Sequence, residues 1–213
     1  MAQTVEAKGF GMTGTKEVTA AHITRSLLDR IVSVTGAIMA FALVALGAAA
    51  IYGGSFAMDN VRDRLEPQGI AFGPAAEMSA EEKAIVGDFA GQKVDTGTEA
   101  EAYSRLIGLH VSEIAGGETY ASLGGPLFAL EAQIEEAQAA GKDTTAMEAE
   151  LAGLRGQRDT VFKGETLRAV LLNAYGWWVV GTITLWVGFG AVALGLILAL
   201  FAALGFRHAK KLS

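Results

Sequence analysis

Read only for hydrophobic and polar positions, the chain consists of two long apolar runs separated by a mixed stretch. No residue is charged from Ile31 to Met58, and none from Ala169 to Phe206. A bilayer core of about 30 Å is crossed by roughly 20 helical residues, so either run is long enough to span it. The pattern predicts an interfacial turn and a first transmembrane helix within residues 19–56, with Ile23, Leu27, Leu28 and Ile31 near one-turn spacing at its entry and the span itself from about Ile31 to Tyr52. It predicts a long helix over 169–206 that includes a second transmembrane helix. Its first residues, Ala169 to Asn173, exceed what the hydrocarbon core needs at about 1.5 Å per residue, so they are expected to stand outside it.

The intervening segment, 57–168, reads as three parts. Residues 57–98 hold Pro67 and Pro74 and several glycines without sustained periodicity, which predicts extended or loop structure; SAEE at Ser79–Glu82 has the form of a capping box that starts a short helix. TEAE at Thr98–Glu101 has the same form. From there Tyr103, Ile107, His110 and Ile114 recur at helical spacing, Leu106 broadens that face, and Gly116 supplies the residue that commonly closes a helix. The third part, residues 126–164, has Leu127, Leu130, Ile134 and Ala137, then GKDT, then Met147, Leu151, Leu154 and Val161, with a further capping-box pattern at Thr145–Glu148. Two antiparallel helices joined by a short turn, a hairpin over about 126–162, fit this spacing. The hairpin carries many alanines and little apolar surface, so it is expected to dock on something else. The chain is thus expected to be an all-α membrane protein, with two transmembrane helices flanking an extracytoplasmic helical domain with a helical hairpin.

Charge orients this picture. The 213 residues carry a net charge of −6, but between the apolar runs stand 10 basic and 20 acidic residues, a net of −10. Residues 1–18, MAQTVEAKGFGMTGTKEV, read as a flexible cytoplasmic arm, with basic residues there and at Arg25 and Arg30. The tail 207–213 holds Arg207, Lys210 and Lys211 and no acid. Basic residues beside spans tend to stay cytoplasmic, so both termini are expected inside the plasma membrane and residues 57–168 outside. An acidic outer region makes nucleic acid an unsuitable partner. The first run is longer than a usual signal-peptide core and lies behind some 30 residues, so it reads as a retained anchor.

Candidate roles follow from residue type. Tyr52, Tyr175, Trp177 and Trp178 suit the outer headgroup zone, and Arg207, Lys210 and Lys211 the inner one. Gly36 and Ala40, and Ala191 and Gly195, are small residues four apart that allow helices to approach closely. His22 and His208 read as interfacial polar groups, and Trp186 as a deeper ring facing lipid or a neighbouring helix. His110 falls on the apolar face of its helix and reads as a buried histidine held by one hydrogen bond. Glu113 and Glu118 have no second His or Cys nearby, neither Gly-Gly pair sits in a phosphate-binding motif, and the chain has no cysteine. No catalytic, metal or cofactor residues are therefore assigned.

The stretch GQKVDTGTEAEAYSRLIGLHVSEIAGGETYASL resembles the outer segment of a family of small actinobacterial two-span membrane proteins with a GGxTYAxL segment. Lys93, Val94, Tyr103, His110, Gly116, Gly117, Thr119, Tyr120 and Leu123 carry the likeness, with Leu167 and Arg168 at the entry to the second span. The 30-residue start and the 126–164 segment depart from the family pattern. The resemblance implies two spans around an outer region, and no established activity. Some members bear a ring-opening dioxygenase label; such an iron site normally takes two histidines and a carboxylate, and only His110 of the three histidines lies in the outer region.

The leading expectation is a non-enzymatic accessory or assembly subunit of a larger membrane complex, of respiratory or oxidase type, with the lipid bilayer and other integral membrane subunits as partners and self-association left open. A membrane-anchored extracytoplasmic binding or sensor module is the alternative, and a small membrane enzyme using His110 with Glu113 or Glu118 a third reading.

Overall fold

The computed structural model describes the backbone of residues 11–211 and the side chains of residues 27–210. The first ten residues of the expected arm and the side chains of His22 and Lys211 lie outside the described residues. Five α-helices follow in order: α1 (Gly11–Leu65), α2 (Ala80–Val86), α3 (Gly97–Ala115), α4 (Gly124–Ala139) and α5 (Thr145–Lys211). Single 3-10 turns occupy Glu66–Gln68 and Gly87–Phe89, and the one β pairing among the described residues is an antiparallel bridge between Ala71 and Lys93. The protein is all-helical, and α1 and α5 are each long and apolar enough to cross a membrane.

Several boundaries differ from the sequence reading. Residues 11–18, expected as arm, are already helical, and α1 does not stop near residue 56 but runs to Leu65. Nothing in MDNVRDRL breaks a helix; the stop comes from Pro67, which disfavours helix in the residue before it, and from Gly69, left-handed at φ +62°. Likewise α5 is one helix from Thr145 to Lys211, with no gap between the segment expected to end near 162 and the one expected to begin at 169. A lone glycine in a helix costs about 1 kcal/mol, too little to end one, and Gly164 stays in the ladder.

The chain forms two compact units. The first comprises, of the described residues, 11–54 and 183–211, and within it α1 and α5 run antiparallel. Contacts pair rising positions on α1 with falling ones on α5: a Cβ built on Gly36 meets Ala202, one on Gly47 meets Gly188 and Val192, and one on Gly205 meets Ser33. Buried Ser33, Ala40, Gly47 and Gly54 recur every seven residues on α1, and buried Gly188, Gly195, Ala202 and Ala209 every seven on α5. A seven-residue spacing keeps one helical face turned to its neighbour along the whole seam. With no side chain larger than Ala on most of those positions, the backbones themselves come into contact.

The second unit, residues 55–182, is built around α3. Its main core joins Val61 and Leu65 from α1, Phe72, Met78, Val86 and Val94 from the intervening segment, Ala100, Ala102 and Leu106 from α3 and Leu171 from α5. Phe72 sits between Phe89, stacked with ring centres 5.5 Å apart, and Tyr103, edge-on at 5.3 Å. A smaller cluster of Val111, Ala115, Leu123 and Val161 closes the far end of α3, and Leu127, Leu130 and Ile134 of α4 pack on Leu151 of α5. Complete burial of side chains such as Val86, Val94 and Val161 contributes roughly 1.5–3 kcal/mol each.

The helix starts show which local signals govern. Ser79 caps α2 as expected, its hydroxyl accepting from the Glu82 N–H while the Glu82 carboxylate accepts from the Ser79 N–H. For α3 the capping box is Thr96–Glu99, not Thr98–Glu101. For α5, Asp143 accepts from both the N–H and the hydroxyl of Thr145, while Glu148 accepts instead from the Thr144 hydroxyl. Gly116, at φ +63°, ends α3 as its position in the sequence predicts.

Candidate functional site

Between α3 and α4 the chain makes a short, tightly bonded loop. Gly116 and Gly117 both have positive φ, +63° and +83°, turning the backbone out of α3. Thr119 and Ser122 then hold each other: the Thr119 N–H donates to the Ser122 hydroxyl at 2.8 Å and the Ser122 N–H to the Thr119 hydroxyl at 3.1 Å. Leu123, nearly fully buried, anchors the loop on Val111, Ala115 and Val161. With both ends fixed, Tyr120 is left facing outward.

Arg158 of α5 meets it there. Its Nε donates to the Tyr120 carbonyl at 3.3 Å, and its guanidinium lies 4.0 Å from the centre of the Tyr120 ring and 5.9 Å from that of Phe128. The Phe162 ring is 5.7 Å from Tyr120. An open cleft of about 240 Å³ is lined by Tyr120, Leu127, Arg155, Arg158, Asp159 and Phe162. Tyr120 is 42%, Phe128 60% and Phe162 54% exposed, so three aromatic rings around a guanidinium stand at a surface. Tyr, Phe and Arg are the side chains enriched where proteins bind one another. The sequence reading assigned this cluster no role. The signal for it is Phe128 and Phe162 lying off the Leu127–Leu130–Ile134 and Leu151–Leu154–Val161 faces, large rings where charged residues would be expected.

His110 is not buried. Its side chain is 47% exposed, and Nε2 lies 2.7 Å from Oε1 of Glu82. That carboxylate uses its other oxygen on the Ser79 N–H. The Ser79 backbone hydrogen bond first, and His110 second, hold the Glu82 carboxyl below the usual carboxylate range. The buried residues of α3 are Gly97, Ala100, Ala102, Ser104, Leu106, Val111 and Ala115; Tyr103 and Ile107 are half-buried beside them, and His110 and Ile114 are exposed. The helix lies close to α5: a Cβ on Gly97 would fall on Trp178, one on Gly108 would lie 3.0 Å from the Arg168 guanidinium, and Val111 presses on Gly164. Arg168 also donates to the Ser104 carbonyl at 3.2 Å and pairs with Glu165 at 2.7 Å. Glu113 and Glu118 are exposed, and neither is paired with His110.

The expected interface residues divide. Tyr52 (75%) and Trp177 (58%) are exposed, Tyr175 less so, and Arg207 and Lys210 are at the surface. Trp178 turns inward instead, packing on the main core, against Gly97 and within 5.8 Å of the Arg62 guanidinium. Of the packing candidates, Ala40 and Gly195 meet, the built Cβ of Gly195 lying 3.0 Å from the Ala40 carbonyl oxygen; Gly36 faces Ala202, and Ala191 is half-buried. Ser33, Gly47, Gly188 and Gly205 belong to the same seam and were not singled out by four-residue spacing; a seven-residue count finds the buried series to which Ser33, Gly47 and Gly188 belong.

Residues that carry the family resemblance have definite places. Val94 is buried in the main core, Lys93 forms the bridge with Ala71, Tyr103 packs edge-on to Phe72, and Arg168 joins α5 to α3. Leu167 is exposed. Among the described residues no group of three or more His, Asp or Glu side chains is placed to hold a metal ion. No protein-family model, no curated protein and no solved structure matches the chain.

Proposed function

We propose that the protein is a non-enzymatic integral membrane subunit, with α1 and α5 as its two spans, both termini cytoplasmic and residues 57–168 forming an extracytoplasmic helical module. In this reading α4 and the opening turns of α5 act as its helical hairpin, and the module docks on other subunits of a larger membrane complex. The observation that carries the proposal is the apolar surface the first unit leaves uncovered. Apart from the narrow seam of small residues, α1 presents Ile38, Phe41 and Leu46, and α5 presents Trp186, Val187 and Phe201, each more than half exposed. Continuous apolar surface of this kind needs lipid or partner helices around it. The aromatic cluster at Tyr120 supports docking by the outer module. Purification from native membranes in mild detergent, with mass spectrometry of what accompanies the chain, tests the proposal. Reproducible co-purification of particular membrane proteins is expected, and a chain that always migrates alone overturns it.

A second reading, a membrane-anchored binding module, draws on the cleft beside Arg158. It predicts that removing both terminal segments abolishes signalling, and full function of the trimmed chain rejects it.

A further inference from the structure

Six basic side chains of residues 55–182 form no ion pair among the described residues, Arg62, Arg64, Lys83, Lys93, Lys142 and Arg158, and of these Arg158 is the one that lines the cleft. Arg105 pairs with Glu101, Arg155 with Glu131, Lys163 with Asp159 and Arg168 with Glu165. Among the described residues no carboxylate lies within ion-pair distance of Arg158. Its polar contact is the single Nε bond to the Tyr120 carbonyl, which leaves the two terminal nitrogens of the guanidinium without an acceptor. A guanidinium offers five donors in a planar fork that matches a carboxylate. Here the fork is held rather than free: the Tyr120 ring stacks at 4.0 Å, and Phe128 flanks it. The cleft beside it has an apolar floor, Leu127, and an aromatic wall, Phe162. Asp159, the one acid lining the cleft, pairs with Lys163 at 2.5 Å.

We propose that this cleft is where the outer module receives its partner protein, and that the group received is an acidic side chain next to an aliphatic or aromatic residue. The carboxylate lies against the Arg158 fork and the apolar neighbour fills the space between Leu127 and Phe162. Charge complementarity selects the occupant: a preorganised cation with unused donors, ringed by apolar surface, stabilises a carboxylate once the docked partner covers the rings and excludes solvent from the pair. A second copy of this chain also carries acids beside apolar residues, such as exposed Glu113 next to exposed Ile114, and the crosslink below separates it from another protein. The proposal rests on the subunit reading above and names the contact that reading leaves open.

The test places a photo-crosslinking phenylalanine analogue at Phe128 in the full-length chain in native membranes, with the same analogue at exposed Glu135 as control. The expected result is an adduct from position 128, not 135, to another membrane protein, mapped to a peptide with an Asp or Glu beside an apolar residue. Arg158→Gln should lower that adduct at least about tenfold, as loss of one partner of a buried charge pair does, and Arg158→Lys should fall between. Because Arg158 also steadies the loop, a second arm exchanges charges: Arg158→Glu combined with Lys at the mapped acid should restore the adduct. No adduct, an adduct to lipid or to a second copy, or an adduct indifferent to Arg158→Gln overturns the proposal. If subunits still co-purify in those cases, the subunit reading stands without this contact. If the chain purifies alone, both fall.

Discussion

Gly47 and Gly188 stand backbone to backbone: a Cβ added to either would lie 2.8 Å from the other's carbonyl oxygen. Neither oxygen belongs to a flexible side chain, so the added methyl cannot be accommodated by a rotamer change. Gly47→Ala or Gly188→Ala should therefore force the helices apart and destabilise the unit by about 1–3 kcal/mol, with leucine at either position worse. Gly53, on the same helix, has nothing within 4 Å of its built Cβ. Gly53→Ala should be neutral or stabilising by up to about 1 kcal/mol, since alanine is the better helix former. Reversible unfolding in mixed micelles compares the three variants.

In the second unit Gly164 lies under Val111, whose methyl occupies the space a Cβ would need. Valine has one strongly preferred rotamer in a helix and cannot swing aside. Gly164→Ala should cost about 1–3 kcal/mol. Adding Val111→Ala should recover part of that loss, a coupling read from a double-mutant cycle. Gly156→Ala, in open space eight residues earlier on α5, should show no penalty.

These two glycine sites also mark where sequence reading stops. Ser79, Glu82, Gly116 and the apolar runs were legible because each acts through its own local chemistry: a cap, a left-handed residue, a transfer free energy. The buried face of α3 was legible only in part. Hydropathy finds Leu106, which is buried, and Tyr103 and Ile107, which pack on the core, but also Ile114, which is exposed; it misses Ala100, Ser104 and Ala115, small residues that allow close approach to α5. The start of α3 was misplaced for a related reason. TGTEAE offers two T-x-x-E registers, and only the one beginning at Thr96 places Gly97, the residue Trp178 packs against, in the first helical turn. Arg158 was invisible because its significance lies in the Tyr120 and Phe128 rings that the fold brings to it, which a spacing along the chain does not reveal.

Glu82 links α2 to α3, with one oxygen on the Ser79 N–H and the other 2.7 Å from His110. Its folded carboxyl is held below the usual range, first by the Ser79 backbone hydrogen bond and then by His110. A depressed folded value means the stabilisation is fully present above the unfolded carboxylate range and is lost as pH falls through the folded value. Protection of the amides in residues 79–86, measured against their intrinsic exchange rates at each pH, should thus be highest at neutral pH and fall on acidification through that range. In Glu82→Gln the acid-induced loss of protection should be absent and protection lowered throughout. An unchanged acid step in Glu82→Gln would assign it to another carboxylate, of which Asp143, also lowered by its bonds to Thr145, is the first to examine.

The proposed orientation is open to a clean chemical test, because the chain has no cysteine and any introduced thiol is a unique reporter. Lys142, in the exposed turn between α4 and α5, and His208, exposed near the end of α5, are suitable positions. If residues 57–168 face outward, a membrane-impermeant maleimide added to intact cells should modify Lys142→Cys and leave His208→Cys unmodified until the membrane is opened. Inverted vesicles should give the reverse. The expected direction follows from Arg207, Lys210 and Lys211, which cluster without an acid beyond the second apolar run. Labelling of His208→Cys but not Lys142→Cys in intact cells would invert the protein and move the Arg158 cleft to the cytoplasmic face. Labelling of both would mean that α1 and α5 do not span together.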